Sequence, residues 1–408
     1  MTQTRIGILT YHRSNNYGAF MQAYSLSTRV AEDFPECEVS VIDYISEEVY
    51  LHYRPSFIND LKLIVKAKPC RRKLTYAKLF YHHLRTFYRV GNSGITDKNF
   101  EDALKTLRLS GQYMITDSLK KVSDYINENF DIVVVGSDAV WNWQARQFPN
   151  VYFLGNEVKV KKLSYAASSY GQPFKQTSDR QKAYISKAWR DYQYIGVRDI
   201  PTEDFVRWVD KDLNPHHNCD PTVFLNMISL PVDVSVVKEK LRKAGFDFNR
   251  KSIGLMAKHK VAKFVCNELG DDYQIVSVFN KNECASINLL DINPFEWAVV
   301  FSFFDLTITH YFHGNLLSLK SGTPTLIIEE KSSYNLHYCS KIRDFMRRVG
   351  LEENCHYLDE IDASTLKGKV GSILRDTEIK GKIEMGLQAE ANNYDSFNNA
   401  LTRAINDN

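Results

Sequence analysis

The sequence predicts an α/β protein with two domains, each built around a mostly parallel β-sheet. Short apolar strands alternate with helical segments in two separate series, which is the pattern of sheets whose strands are connected by helices. Prolines cluster between the two series, at about 205–232, and mark a join between domains. The length of 408 residues suits this division, since domains commonly run to roughly 150 residues.

The first series opens with a β-α-β unit, because an apolar strand, a polar turn and an amphipathic helix lead to a second strand. These segments are Arg5–Thr10, Phe20–Val30 and Val39–Tyr44. The series continues with strands at Ile132–Val135, Lys162–Ala167 and Tyr194–Val197 and with a helix over Arg180–Tyr192. We therefore expect an N-terminal domain over 1–210, with a basic helical insert at about 50–95.

The second series repeats the alternation of strand and helix in the C-terminal half. Its strands are expected at Ser252–Met256, Tyr273–Val278, Leu306–Thr309 and Pro324–Ile328, and its helices at Lys260–Leu269, Pro294–Phe303 and His313–Ser321. These elements predict a C-terminal domain over 211–375, followed by a helical tail over 376–408.

The composition argues against several classes of protein. Lys plus Arg number 52 and Asp plus Glu 49, and this net charge of +3 gives little reason to expect a nucleic-acid partner. The seven cysteines are odd in number and form no C-x-x-C, which argues against a disulfide framework and a zinc ribbon. The first residues do not resemble a signal peptide and no long apolar run occurs, so we expect a cytoplasmic protein.

One segment, 62–89, is strongly basic: it contains nine Lys or Arg and no acid. One interpretation is an inserted helical hairpin with a solvated basic face. The other is a peripheral contact with the inner face of a membrane, since basic amphipathic helices bind anionic lipid surfaces. The sequence leaves both open.

Polar segments follow the predicted strands, at the places where parallel sheets bind ligands. They are Thr10–Tyr24, Val135–Asn142, Ser164–Ser168, Val197–Asp199, Asp220–Thr222 and Ile308–Gly314. None of them contains a Walker A or G-x-G-x-x-G motif, so nucleotide binding of those kinds has no support. Their histidines have no spacing typical of metal ligands, and we expect a metal-independent site.

In this order the segments resemble the polysaccharide pyruvyl transferase family, from about residue 5 to about residue 351. The resemblance rests on N-Y-G-A-x-x-Q-A-Y from Asn16, G-S-D-x-x-W-N from Gly136 and F-H-G from Phe312. It implies a fold similar to GT-B glycosyltransferases, with two Rossmann-like domains facing across a cleft. It also implies that phosphoenolpyruvate donates a pyruvyl group to two sugar hydroxyls. The product is a cyclic ketal on an exopolysaccharide, a capsule or a lipid-linked precursor, and no cofactor is needed beside this co-substrate.

Three residues are candidates for the chemistry. His313 starts a helix and titrates near neutrality, so it suits proton transfer to the donor or phosphate binding; alternatively it caps a buried turn. Arg198 suits bidentate hydrogen bonding to a donor anion; alternatively it pairs with Asp199 or another acid of the first domain. Asp138 suits orientation or deprotonation of an acceptor hydroxyl; alternatively it caps the following helix.

Gly314 and Asn315, beside His313, complete the predicted donor site, because a glycine lets the backbone approach a ligand closely. The predicted acceptor site combines the polar loop after the first strand with two rings that could stack on a sugar. Its members are His12, Arg13, Asn15, Asn16, Tyr17, Gly18, Trp141 and Tyr311. The alternatives are an ordinary turn for the loop and core packing for the rings.

Two other functions remain open. The first is a GT-B glycosyltransferase that uses a nucleotide sugar, and the second is a non-catalytic family member that binds glycan. The chain also departs from the family pattern: Tyr311-Phe312 stands where many members carry Ser or Arg-Leu before the His-Gly. An arginine there would help to hold the donor anion.

Overall fold

The chain divides into two compact units, which we call unit 1 (Met1–Pro221 with Tyr394–Asn408) and unit 2 (Thr222–Asn393). The computed structural model describes residues 3–53, 57–66, 77, 93–142, 148–170, 174–331 and 339–407. Each unit holds a six-stranded parallel sheet with helices between its strands. The predicted pair of α/β domains is therefore confirmed.

The strands of unit 1 are, in chain order, β1 (Arg5–Leu9), β2 (Glu38–Val41), β3 (Tyr44–Ile45), β4 (Met114–Ile115), β5 (Ile132–Val135), β6 (Lys161–Ala167), β7 (Tyr192–Val197) and β8 (Pro215–His217). The main sheet has the order β2-β1-β5-β6-β7-β8, and every neighbouring pair is parallel. The short strands β3 and β4 pair with each other in a separate sheet. All four residues of β5 are β-branched and fully buried, as expected for a strand covered on both faces.

The helices of unit 1 connect these strands. They are Tyr17–Asp33, Glu47–Tyr53, Phe57–Lys66, Ser93–Leu104, Leu119–Asn129, Asp179–Trp189, Ile200–Val209 and, near the end of the chain, Asp395–Asn406. Local sequence explains where they begin. Ser178 and Gln181 form a capping box at one helix, and Asp199 caps the next one through the amide of Thr202.

The strands of unit 2 are β9 (Ser252–Met256), β10 (Gln274–Val278), β11 (Ile287–Leu289), β12 (Leu306–Thr309), β13 (Thr325–Glu329) and β14 (Cys355–Tyr357). They form a sheet with the order β11-β10-β9-β12-β13-β14, which is also parallel throughout. Its helices are Val234–Lys243, His259–Leu269, Pro294–Val300, Phe312–Lys320, Lys341–Arg348, Ala363–Arg375 and Ile379–Ala391.

The aromatic side chains serve mainly the core of unit 1. Trp141 and Trp189 lie 4.5 Å apart between ring centroids, and both are fully buried in a cluster that also holds Phe153 and Phe205. The core of unit 2 is more aliphatic, with residues such as Ile253 packed in it. Core packing therefore accounts for much of the aromatic content of the chain.

The division between the units differs from the expected boundaries in two ways. The first unit continues past 210, because β8 pairs with β7 and Ser25 Oγ donates a hydrogen bond to the carbonyl of Pro221. The expected tail over 376–408 is split between the units. The helix Ile379–Ala391 belongs to unit 2, whereas Asp395–Asn406 packs on unit 1.

The helix Phe57–Lys66 lies at the start of the expected basic insert. Residues 67–76 and 78–92, which carry most of the basic charges, lie outside the described residues. Within the part of the chain that is described, no helix has both the length and the apolar character needed to cross a membrane.

Candidate functional site

A buried ion pair lies at the carboxyl edge of the unit 1 sheet. Arg198 directly follows β7, is 3% exposed, and donates through Nη1 to Asp220 Oδ2 at 3.0 Å. Gln22 Nε2 donates to the same oxygen at 2.6 Å. Asp138 Oδ1 lies 3.9 Å from Arg198 Nη2. The structure thus brings together four of the segments that sequence analysis placed after strands, and it adds Gln22 and Asp220 to the predicted residues.

The backbone around Asp138 is held in an uncommon conformation. Asp138 has a φ of +84° and Gly136 a φ of +125°. A Cβ on Gly136 would lie 2.0 Å from the carbonyl oxygen of Tyr165, so only glycine fits there. The amide of Ser168 donates to the carbonyl of Asp138, and the amide of Ala139 donates to its carboxylate. These bonds fix a carboxylate that remains 19% exposed at the edge of the sheet.

The charge of Arg198 is already matched by acids. Burial alone would lower the pKa of Arg198, but Asp220, Asp138 and Asp199 outweigh it and raise the pKa. The role of Arg198 as a clamp for the donor anion stays a prediction, while the structure shows its guanidinium buried and bonded to Asp220. The alternative of an ion pair with an acid of the first domain describes the structure, with Asp220 as the partner.

His12 and Arg13 both bind Asp43, which follows β2. Arg13 donates to the two carboxylate oxygens through Nε and Nη2, each at 2.7 Å. His12 is fully buried, with Nε2 3.2 Å from Asp43 Oδ1. Burial would raise the pKa of Asp43, but the hydrogen bonds from His12 and Arg13 lower it overall. The predicted acceptor contact of His12 is corrected, because its side chain is fully buried, whereas that of Arg13, whose side chain is 14% exposed, stays a prediction.

The rest of the predicted acceptor loop starts the first helix. Asn16 caps it, since its side chain accepts hydrogen bonds from the amides of Gly18 and Ala19. Tyr17 is 2% exposed and stacks on Phe100 at 6.2 Å, so it lies in the core. Gly18 is buried, while Asn15 and Asn16 retain exposure. The ligand contacts of the two asparagines stay a prediction, and the side chain of Asn16 is already used for the helix cap.

Trp141 lies in the core rather than at a ligand-facing surface. It is fully buried, its Nε1 donates to the carbonyl of Tyr152 at 3.0 Å, and it packs on Trp189. No face of the indole is exposed for a sugar, so the predicted stacking role is corrected. Sequence alone could not distinguish these two roles, because both place an aromatic residue after a strand. Trp143 lies outside the described residues.

The carboxyl edge of unit 2 carries the helix start that holds His313. The helix Phe312–Lys320 follows β12, and Tyr311, the residue before it, makes no side-chain capping bond. His313 stands in the first turn, partly exposed, with its ring edge-on to Phe312 at 5.2 Å. The amides of a first helical turn carry partial positive charge, so this position suits an anion. Tyr311 also remains partly exposed.

Gly314 and Asn315 have structural roles that the sequence did not indicate. A Cβ on Gly314 would lie 2.6 Å from Met256 Sδ, so this glycine lets the helix pack closely on β9. Asn315 is fully buried; its side-chain Oδ1 accepts a hydrogen bond from Thr325 Oγ1 at 2.7 Å, and its backbone N–H donates to the carbonyl of Tyr311. The predicted donor contact of Asn315 is corrected, since both groups are used within unit 2.

His310 directly follows β12 and lies within Ile308–Gly314, one of the polar segments after the predicted strands. Its ring stacks on that of Tyr311, with centroids 4.4 Å apart and planes 27° apart. Burial, and next the charge of Lys258, lower the pKa of His310 to about 4, although Glu330 opposes them. The ring is therefore neutral near pH 7 in the absence of a ligand. His310 joins His313 at the same strand end.

A surface pocket elsewhere on unit 1 does not coincide with these edges. It encloses about 470 Å³ and is lined by residues such as Trp189, Tyr194, Asn214 and His216, at the amino ends of β7 and β8. Ligands of parallel α/β sheets bind at the opposite edge. Among the described residues, no group of three or more His, Cys, Asp or Glu is placed to hold a metal ion.

The solved structures that are similar to this chain include UDP-GlcNAc 2-epimerases. UDP-GlcNAc 2-epimerase from Neisseria meningitidis, bound to UDP-GlcNAc, superposes with a TM-score of 0.54 at 9% identity and covers 98% of this chain and 100% of its own. A putative UDP-N-acetylglucosamine 2-epimerase from Listeria monocytogenes gives 0.52 at 10% identity, with 100% and 98% covered. At such identities the likeness concerns the fold alone, and it supports the predicted GT-B-like class of two Rossmann-like units.

The family of the chain follows from the match of its sequence to a family model. No curated protein sequence matches the chain. The family model of polysaccharide pyruvyl transferase matches residues 16–332, which include the asparagine cap of the first helix, Asp138, Arg198 and the helix start at His313. This match spans well over half of the chain and contains the strand ends of both units, so the chain belongs to the polysaccharide pyruvyl transferase family.

Proposed function

We propose that this protein transfers the pyruvyl group of phosphoenolpyruvate to two hydroxyls of one sugar, in a surface polysaccharide or its lipid-linked precursor, and forms a cyclic pyruvate ketal. The family match over residues 16–332 carries this proposal. The different charges of the two strand edges support it, because one edge suits neutral hydroxyls and the other suits an anion.

The edge of unit 1 suits the acceptor. Asp138, Asp199 and Asp220 surround a single buried Arg198, so acids outnumber the cation. Such an edge repels phosphoenolpyruvate, which carries a phosphate and a carboxylate, but accepts hydrogen bonds from hydroxyls. We assign Asp138 to the proton of the attacking hydroxyl, because its carboxylate is held by the backbone and is partly exposed.

The edge of unit 2 suits the donor. The start of the helix Phe312–Lys320 offers amide N–H groups and the positive end of the helix dipole. His313 in that first turn can pass a proton to the donor or hold its phosphate. We assign these groups to phosphoenolpyruvate.

The reaction then takes two steps. The first hydroxyl oxygen attacks C2 of phosphoenolpyruvate, its proton passes to Asp138, and His313 gives a proton to C3, which becomes a methyl group. The second hydroxyl attacks C2, the bond between C2 and the phosphate oxygen breaks, and the proton of this second hydroxyl leaves with inorganic phosphate. Asp138 then releases its proton to solvent and His313 takes one up from solvent, so both residues return to their starting states. One diol and one phosphoenolpyruvate thus give one ketal and one phosphate.

Phosphate release tests the proposal. The protein is incubated with phosphoenolpyruvate and a panel of lipid-linked and nucleotide-linked sugars, and the ketal is identified by its methyl resonance and mass. We expect phosphate only with a suitable acceptor. The H313A variant should lose about 100-fold or more in rate, the usual contribution of a positioned proton donor. The matched control is H259A, which alters an exposed histidine at another helix start of unit 2.

Other outcomes would favour the alternatives. Thermal stabilisation by UDP or GDP, without stabilisation by phosphoenolpyruvate, would favour a glycosyltransferase that uses a nucleotide sugar. Glycan binding that is equal in wild type and H313A, with no ketal from any acceptor, would favour a non-catalytic binding protein. A full panel that releases no phosphate would contradict the proposal.

We also propose that the basic segment 62–89 contacts an anionic membrane where lipid-linked acceptors lie. The helix Phe57–Lys66 supports this, because Ile58, Leu61 and Val65 are 64%, 43% and 77% exposed and share one face at three- and four-residue spacing. Wild type should sediment with phosphatidylglycerol vesicles but not with phosphatidylcholine alone. I58S/V65S should lose this binding, whereas I228S, at a 97% exposed site in unit 2, should keep it. Equal sedimentation of both variants would contradict the contact.

A further inference from the structure

The imidazole of His310 is left unsatisfied by its surroundings. Both ring nitrogens are buried, and neither has a hydrogen-bond partner among the described residues. A neutral imidazole always carries one N–H donor and one acceptor, and burying such a group without a partner is unfavourable, because the bonds to water that it loses are not replaced. A buried polar group that persists in this state calls for an explanation, and a ligand that supplies the missing bond is one.

The ring is also held in place. It lies against Tyr311 at 4.4 Å, and its backbone leaves β12 between two paired neighbours, β9 and β13. His313, three residues further along the chain, lies in the first turn of the helix Phe312–Lys320. His310 is therefore a fixed group at the edge that we assign to phosphoenolpyruvate.

The charges that face His310 come from the two neighbouring strand ends. Lys258 follows β9 and Glu330 follows β13. Lys260 Nζ lies 3.2 Å from Glu330 Oε2 and offsets its charge. Because the ion pair of Lys260 with Glu330 has no net charge, Lys258 gives this part of the edge a net positive charge. That charge favours an anion beside His310. An anion would in turn favour the protonated ring, because opposite charges in a partly buried site stabilise each other.

We propose that His310 is a second donor-contacting residue of unit 2, which binds an anionic oxygen of phosphoenolpyruvate and takes up one proton from solvent as the donor binds. This inference rests on the proposed function. The added proton sits on the ring nitrogen that faces the anion and forms a charge-assisted hydrogen bond. The ring returns its proton to solvent when phosphate leaves. His310 and Lys258 thereby supply the positive charge that an arginine at position 311 would give.

Calorimetry measures the proton directly. Phosphoenolpyruvate is titrated into the full chain without acceptor, at pH 7, in two buffers of different ionisation enthalpy. We expect wild type to take up close to one proton per donor bound. H310Q keeps a hydrogen-bonding side chain that cannot titrate. It should bind about tenfold more weakly and lose most of the uptake, since a charge-assisted bond is replaced by a neutral one.

The matched control is H216Q. His216 stacks on Tyr194 at 4.8 Å much as His310 stacks on Tyr311, and burial likewise lowers its pKa, but it lies on β8 of unit 1. This variant should bind and take up protons like wild type. K258M should bind more weakly and keep the proton uptake. Wild-type affinity and uptake in H310Q would overturn the proposal.

A second probe separates this proposal from the proposed function. Inorganic phosphate is titrated in the same way, and the imidazole resonances of wild type are followed by NMR with and without it. Phosphate binding with uptake that H310Q loses, in a protein that ignores phosphoenolpyruvate, would retain His310 as an anion contact and reject the donor. Phosphoenolpyruvate binding without any change in the pKa of His310 would reject the role of His310 alone. A protein that binds neither probe would contradict both.

Discussion

Arg198 shows how a single residue can match a site motif and still have an internal role. Its guanidinium is 3% exposed and paired with Asp220, while Asp138 lies 3.9 Å away. Removing one partner of a buried pair leaves the other charge uncompensated, which costs about 3–5 kcal/mol. We therefore expect R198M to lower the free energy of unfolding by that amount, as measured by urea denaturation. Adding D220N should restore part of the loss, because it removes the stranded charge.

The control for this prediction is R207M. Arg207 pairs with Glu203 on the surface of the helix Ile200–Val209, and both side chains are at least one-third exposed. Such pairs contribute about 0.5 kcal/mol, so R207M should change stability little. If R198M were as stable as R207M and had lost only the binding of phosphoenolpyruvate, Arg198 would be an anion clamp as the sequence first indicated.

At the scale of an element, the helix Phe312–Lys320 depends on a glycine for its distance from the sheet. A Cβ at position 314 would lie 2.6 Å from Met256 Sδ, so G314A must displace that side chain or the helix. Overpacking of this kind costs about 1–3 kcal/mol, and we expect that loss in urea denaturation. Because the helix start would also move, the affinity for phosphoenolpyruvate should fall with it.

The same substitution in another helix gives the opposite expectation. Gly368 lies within Ala363–Arg375, and a Cβ there would meet nothing within 4 Å. G368A should therefore raise stability by about 0.5–1 kcal/mol, since alanine favours helix more than glycine does. Equal effects of G314A and G368A would mean that the contact with Met256 relaxes without cost.

At the scale of the whole molecule, sequence predicted the two α/β series well because buried parallel strands leave unbroken apolar runs. β5, β9 and β12 have the expected limits. β8 was missed, since Pro215–His217 has neither apolar character nor strand propensity and forms only by pairing with β7. That omission explains the boundary expected at 210.

The candidate site was predicted less completely, because sequence gives the position of a residue along a strand but not its neighbours. His313 and Asp138 stand at strand ends as expected. Trp141, by contrast, turns into the core of unit 1, and His12 turns onto Asp43. Gln22 and Asp220 were missed as site residues because their hydrogen bond joins positions 198 residues apart. The unsatisfied ring of His310 likewise becomes visible only when its surroundings are known.

The last helix, Asp395–Asn406, belongs to unit 1, so both ends of the chain lie in the same unit. This arrangement allows a test of the division into two units. Phe397 is fully buried, and its ring lies 4.9 Å from Tyr165 on β6 and 5.8 Å from Tyr194 on β7. Lys161 Nζ also donates to the carbonyl of Ala404. The helix is thus part of the core of unit 1 although unit 2 precedes it in the chain. Removal of the Phe397 ring should cost unit 1 about 3–5 kcal/mol.

Hydrogen exchange of the F397A variant should show that the loss of stability is confined to unit 1. We expect the amides of β6 and β7 to lose protection while those of β9 and β12 keep it, because each unit has its own core and can unfold separately. M385A is the control, since Met385 is 68% exposed on the helix Ile379–Ala391 and its truncation should change protection little. A loss of protection shared equally by β6 and β12 would mean that the chain unfolds as one cooperative body, and the separate stability of the two units would then be wrong.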